Sequence, residues 1–140
     1  MNFWDASALL PLVHEEAESV RLHALTRKDP MLAVWWGSRV ECRSGLRREA
    51  RSGGLTPETF VQALARLRYL ASTWTEVEPS EAIRRQAEIL LDRHPLRAAD
   101  AFQLGSALVC CEFKPVRMGF VCLDARLRTA AASEGFELLP

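Results

Sequence analysis

No Cys-x-x-Cys pair occurs in this sequence, whose four cysteines are Cys42, Cys110, Cys111 and Cys122. Zinc-ligand spacing is therefore absent, and the adjacent Cys110 and Cys111 lie in an apolar helical run that suits no disulfide framework. All four read as small core residues of a reducing compartment. Histidine is scarce: His14, His23 and His94 are the only three, and none pairs with a serine or cysteine as a nucleophilic triad requires. No apolar run approaches the ~20 residues of a membrane helix. The opening Met1-Asn2-Phe3-Trp4-Asp5 lacks the basic region and apolar stretch of a secretory signal. The expected location is the cytoplasm. Neither sign of charge is in excess, with 18 basic and 18 acidic residues. That balance excludes a histone-like or tail-driven nucleic-acid binder. It leaves room for a nuclease, in which acids clustered at a site offset basic residues on its rim. Repeats and low-complexity tracts are also missing.

What remains is an ordinary globular composition: 140 residues, 49% hydrophobic, enough for one domain spanning residues 1–140 that buries a core without staples. Hydrophobic periodicity and turn signals divide it into alternating strands and helices. Strands are expected at Asn2–Trp4, Met31–Trp35, Thr73–Val77, Gly119–Leu123 and Phe136–Leu139. Helices are expected from Ser7 through Leu12, perturbed by Pro11, and over Val20–Leu25. A further helix runs from Gly37-Ser38 to about Arg51, where Gly53-Gly54 stops it. Thr56-Pro57-Glu58 signals another, with Thr as N-cap and Pro at the first position. Pro79 opens one that stops before His94-Pro95. Arg97–Phe113 reads as a buried central helix, and Ala125–Ser133 as a short one. This alternation implies a parallel sheet with helices on both faces. Ligands of such sheets bind beyond the carboxyl ends of the strands.

Four acids stand where that rule directs attention. Asp5 follows the first strand and Asp124 the Gly119–Leu123 strand, so both leave the sheet at one edge. Asp100 sits among Ala98, Ala99, Ala101 and Phe102, and Glu41 between Val40 and Cys42. Desolvating a carboxylate without a partner is costly, and a cation supplies a partner. If the four converge, the donor set is oxygen alone, the chemistry of Mg²⁺ or Mn²⁺ rather than zinc. Each acid also has a simpler reading. Ser38-x-x-Glu41 spells a capping box, Asp100 complements a helix dipole, and Asp5 and Asp124 precede helices as N-caps. Arginines interleave with the acids: Arg39, Arg43, Arg47 and Arg48 around Glu41, Arg97 before Asp100, Arg126 and Arg128 after Asp124. Arg39, Arg43, Arg47, Arg97 and Arg126 are the candidate RNA contacts, against the simpler alternative of solvated helix faces and ion pairs. Trp35 and Trp36 either stack on bases or pack in the core.

These segments resemble a known family. Asp5-Ala6-Ser7-Ala8-Leu9-Leu10 after an opening strand is similar to the first motif of PIN-domain proteins, VapC-type toxins above all. Ser38-Arg39-Val40-Glu41 through Arg48 resembles the second motif. Leu96-Arg97-Ala98-Ala99-Asp100-Ala101-Phe102-Gln103-Leu104 through Leu108 resembles the third, the most specific match. Phe120-Val121-Cys122-Leu123-Asp124 through Leu127, with Gly135-Phe136, resembles the fourth. The motifs run in the family's order and span nearly the whole chain. The resemblance implies a single three-layer α/β/α domain with a five-stranded parallel sheet. It implies Mg²⁺- or Mn²⁺-dependent endonucleolytic cleavage of RNA, a cognate antitoxin and a homodimer. Asp5, Glu41, Asp100 and Asp124 match the acidic quartet, and Ser7 a hydroxyl that supports the first acid. Cys122 stands where family members often carry Thr or Ser, which puts local support of Asp124 or of a metal's water in question. Gly105 stands where Ala is common, a matter of helix packing.

Two other nucleic-acid readings share this fold: a nuclease for DNA or structured nucleic acid, and a non-catalytic binding module with a degenerate site. The intact acids disfavour the second. A phosphate-transfer protein with strand-end acids is disfavoured because no second acid adjoins Asp5. Apolar residues between Val20 and Gly54, namely Leu22, Leu25, Trp35, Trp36 and Leu46, suggest a surface for a homodimer partner or antitoxin helix.

Overall fold

A computed structural model describes residues 1–140. Five short strands, β1 (Asn2–Trp4), β2 (Leu32–Trp35), β3 (Thr75–Val77), β4 (Gly119–Val121) and β5 (Glu137–Leu139), form one sheet in the order β3-β2-β1-β4-β5. Every pairing is parallel. The connecting helices are α1 (Ala6–Val13), α2 (Ser19–Lys28), α3 (Ser38–Arg51), α4 (Pro57–Ala71), α5 (Glu81–Arg93), α6 (Ala98–Cys110) and α7 (Ala125–Ser133). The expected architecture, a five-stranded parallel sheet between helical layers, is the one observed. No helix is long and apolar enough to cross a membrane.

Alternation of side chains along each strand divides the core. Trp4, Leu32, Val34 and Val121 point toward Leu9, Leu22, Leu46 and Phe60 from α1 to α4. Phe3, Ala33 and Phe120 point the other way, against Leu104, Leu108 and Leu127 from α6 and α7. Phe3 and Phe120 stack across neighbouring strands at 5.6 Å. With both faces covered, the strands read as apolar runs, and this is why they were legible despite their shortness.

The chain winds from β1 outward to β2 and β3, then returns past β1 to β4 and β5. The winding reverses between β1 and β4. The crevice beyond their carboxyl ends is the topological switch point, where ligands of open parallel sheets bind.

Several boundaries differ from the sequence expectation. The fourth ladder stops at Val121, not Leu123, because the Cys122 carbonyl accepts from Arg128 (2.7 Å) and the Leu123 N–H donates to Ser7 Oγ (2.9 Å). Asp124 therefore sits three residues past the strand. Helix α6 ends at Cys110, short of Phe113, because Glu112 and Phe113 take left-handed conformations (φ 53° and 58°). Pro11 does not break α1, which continues to Val13, and the Pro11 carbonyl accepts from the Ser19 hydroxyl at 2.7 Å. The predicted start of α4 is as expected, with the Thr56 and Thr59 hydroxyls exchanging bonds with each other's backbone N–H. Leu22 and Leu46, expected on an interaction surface, are fully buried in the core.

Helix α6 crosses α5 at Gly105. A Cβ built there lies 3.3 Å from the Ala87 nitrogen and 3.4 Å from the Ile83 carbonyl oxygen. The two backbones are close enough that a branched side chain has nowhere to go. Gly105→Val is expected to lower unfolding stability by about 1–3 kcal/mol through overpacking. The measure is a reduced urea midpoint at unchanged m-value; an unaltered midpoint would show that the helices part without cost.

Candidate active site

Asp5 emerges from β1 as the N-cap of α1 and is only 5% exposed. Its Oδ2 accepts the Ser7 N–H (3.0 Å), the Ser7 hydroxyl, and the Cys122 thiol (3.5 Å). The Ser7 hydroxyl meanwhile accepts from Leu123 N–H, so one side chain ties the exit of β4 to the acid after β1. Every partner of Asp5 is neutral, and none of the four acids joins an ion pair. Burial raises the Asp5 pKa, against the lowering by the Ser7 hydroxyl and amide. Cys122 lends its support to Asp5 rather than to the Asp124 carboxylate. Burial, then the charge on Asp5, holds its thiol protonated.

Glu41 is not part of a capping box. Gly37 occupies the N-cap of α3, its carbonyl accepting from Val40 and Glu41 N–H at 3.1 Å each. Ser38 is the first helical residue. The Gln103 amide nitrogen, reaching over from α6, donates to Ser38 Oγ at 3.0 Å and to Glu41 Oε1 at 3.1 Å. Both groups that would have formed the box are thus turned toward another helix. Burial, then the negative charges of Asp5 and Asp100, push the Glu41 carboxyl up to about 7, with the Gln103 bond opposing.

Asp100, in the first turn of α6, accepts the Arg97 N–H across a long 3.4 Å. Burial raises its pKa, and the charge on Asp124 adds to that against the Arg97 N–H bond, Arg126 and Arg97. Asp124 is the N-cap of α7: Oδ1 accepts Leu127 N–H at 2.8 Å. That capping reading is correct as far as it goes, and it leaves Oδ2 without a protein donor.

Asp5, Glu41, Asp100 and Asp124 line one pocket with Ser7 and Arg48. They come from four elements and meet at the switch point between β1 and β4. As the side chains stand, no three His, Cys, Asp or Glu are grouped so as to hold a metal ion. The donor chemistry nonetheless fits a hard divalent cation. The four acids offer only oxygen, their mutual repulsion is uncompensated by any paired cation, and the nearby Cys42 and Cys122 are held as thiols. Mg²⁺ commonly binds through one or two carboxylates and keeps several waters, so an open set suits it.

The arginines separate by position. Arg39, Arg43 and Arg47 line a groove between α3 and α4 that adjoins the acid pocket. Arg97 and Arg126 are exposed and act on Asp100. Arg48 reaches the acid pocket itself. Arg128 turns inward, donating to the carbonyls of Cys122 and Leu139 (2.9 Å), and is a clamp on the sheet edge. Trp35 stacks on Phe102 at 5.5 Å, whereas Trp36 is 52% exposed. Sequence reasoning missed Gln103. The available signal was an amide three residues after Asp100, on the same face of an otherwise apolar helix.

Comparison with known proteins bears on the fold. The chain superposes on a toxin–antitoxin complex from Klebsiella pneumoniae with a TM-score of 0.65, at 19% identity over 90% of this chain and 88% of that one. It superposes on FitAcB from Neisseria gonorrhoeae with a TM-score of 0.68, at 13% identity over 100% and 97%. No family model and no curated protein matches the sequence. At these identities the likeness is one of fold, here a five-stranded parallel sheet flanked by helices.

The Glu41 carboxyl yields a pH prediction for the metal-free protein. Its folded pKa, about 7, lies above the ordinary 4.5, so the folded chain holds a proton that the unfolded chain has lost between those values. Stability is therefore expected to rise as pH falls from 7.5 toward 4.5. Glu41→Gln should stabilise the fold at pH 8 by on the order of 1 kcal/mol after solvent screening, and not at pH 4. Urea midpoints in EDTA at the two pH values test this; an equal effect at both would remove charge crowding as the cause.

Proposed function

We propose that this protein is a Mg²⁺- or Mn²⁺-dependent endoribonuclease and the toxin of a toxin–antitoxin pair. The observation that carries the reading is the convergence of four carboxylates, from four elements and none of them ion-paired, on one pocket at the switch point of a parallel sheet. Structures of like fold include a toxin–antitoxin complex, which supports an antitoxin partner here. The proposal extends to an RNA substrate, a homodimer and a cytoplasmic setting.

Asp5, Asp100 and Asp124 are the proposed ligands, with Glu41 as a ligand or as the group that orients the attacking water. Bound among them, the cation would supply Lewis acidity toward the phosphodiester and toward the water that attacks it. Asp5 is the fixed member, because Ser7 and Cys122 lock its oxygen. Glu41, poised near neutrality, is suited to take a proton from that water. Asp124 keeps one oxygen for the pocket while the other caps α7. Arg48 places positive charge where a phosphate would enter.

Asp100→Asn keeps shape and separates the two readings of this acid. A helix-dipole role alone predicts a cost of at most about 1 kcal/mol and unchanged activity. A ligand role predicts loss of cleavage by at least about a hundredfold with the fold intact, together with relief of carboxylate repulsion when metal is absent. The assay is cleavage of single-stranded RNA with Mg²⁺ or Mn²⁺, with EDTA as control. Activity that survives both EDTA and Asp100→Asn would overturn the proposal. Equal cleavage of an RNA and its deoxy counterpart would favour the DNA-directed alternative, since the 2′-hydroxyl is what tells them apart.

A further inference from the structure

Helix α3 carries Arg39, Arg43, Arg47 and Arg51, one arginine per helical turn. At ~1.5 Å rise per residue they step about 6 Å apart along the axis. All four are exposed. The first three line a groove of about 570 Å³ against α4, where Arg68 faces them and Glu76 is the sole acid. Arg47 is held in place, its guanidinium 4.0 Å from the centre of the Phe60 ring. The trough continues past Arg47 to Arg51. In a chain of zero net charge, this is a marked concentration of one sign.

At the other end the groove meets the acid pocket, sharing Val40 and Ser44 with it. Beside that junction stands Trp36, whose indole packs edge-on against Trp35 (6.4 Å between ring centres). Trp35 in turn is stacked on Phe102. Trp36 is thus an exposed aromatic surface on a rigid support.

We infer that the α3 arginine stripe and Trp36 form a binding track for single-stranded nucleic acid leading into the acid pocket. Evenly spaced cations follow a phosphate backbone, and an exposed indole accepts an unpaired base by stacking. An acidic polypeptide would satisfy the arginines but not the continuation: its carboxylates would meet four more. A phosphodiester is the anion that the acid pocket, with a cation, is built to receive. The direction of the track rests on the nuclease reading above; the track itself does not.

The test is binding without turnover. Trp4 and Trp74 are buried and Trp35 is half-buried under Phe102, so stacking by a base reports mainly on Trp36. A six-nucleotide RNA is titrated into the full chain in EDTA. Quenching of tryptophan fluorescence is expected, with affinity reduced about tenfold by Trp36→Ala. With four arginines engaged, log K should fall against log salt with a slope of about −2.8, relaxing to about −2.1 in Arg43→Ala. Arg43 is exposed, and an unchanged circular dichroism spectrum verifies its fold. Duplex RNA binding equally well, displacement by polyglutamate at equal concentration, or unaltered affinity in both variants would overturn the track. Polyglutamate displacement in particular would mark the groove as a protein-docking surface. A chain that binds as expected and never cleaves with Mg²⁺ or Mn²⁺ keeps the track and loses the nuclease reading.

Discussion

Everything at the candidate site depends on a carboxylate that the fold has buried without a cation. Asp5 leaves the central strand at the one crevice the sheet topology opens, and it is surrounded by core. A buried charge is tolerable only if its lone pairs are satisfied and a counter-charge is near. The chain satisfies the first condition with Ser7 and Cys122, all neutral donors. No cationic side chain pairs with Asp5 to meet the second. The same Ser7 hydroxyl that holds Asp5 also receives the Leu123 amide, so the site's anchor and the exit of β4 are one construction.

The other three acids are fixed less tightly and by different means. Glu41 is reached from α6 by Gln103, a fully buried amide that joins the two helices flanking the crevice. Asp100 and Asp124 serve their own helix starts while facing the pocket. Capping and a shared site are therefore compatible for these two. One carboxylate oxygen suffices for a cap, and the second remains for other work. Burial is the leading cause of the upward shift at Asp5, Glu41 and Asp100, and neighbouring charges add to it.

Much of the architecture was legible because each strand, covered on both faces, is a short apolar run between turn signals. Phe3-Trp4, Ala33-Val34 and Phe120-Val121 each split between the two halves of the core. Element ends were less legible. Cys122 and Leu123 look like strand by composition, yet Arg128 and Ser7 from elsewhere capture their backbone groups. Leu22 and Leu46 looked surplus to their helices and are core, because α2 and α3 pack on the sheet face together with α1 and α4.

By itself the sequence determined the alternation of strands and helices, the parallel sheet this implies, and the four acids at strand ends and helix starts. Those are matters of local pattern, set by side-chain period and chain order. Tertiary structure alone decided that Ser38 and Glu41 answer to Gln103 instead of each other, that Arg128 serves the sheet, and that Arg39, Arg43 and Arg47 form one wall of a groove beside the acids. Each of these depends on which helix lies opposite. A residue's partner across 62 positions, as for Gln103 and Glu41, is fixed by packing and leaves no trace in local spacing.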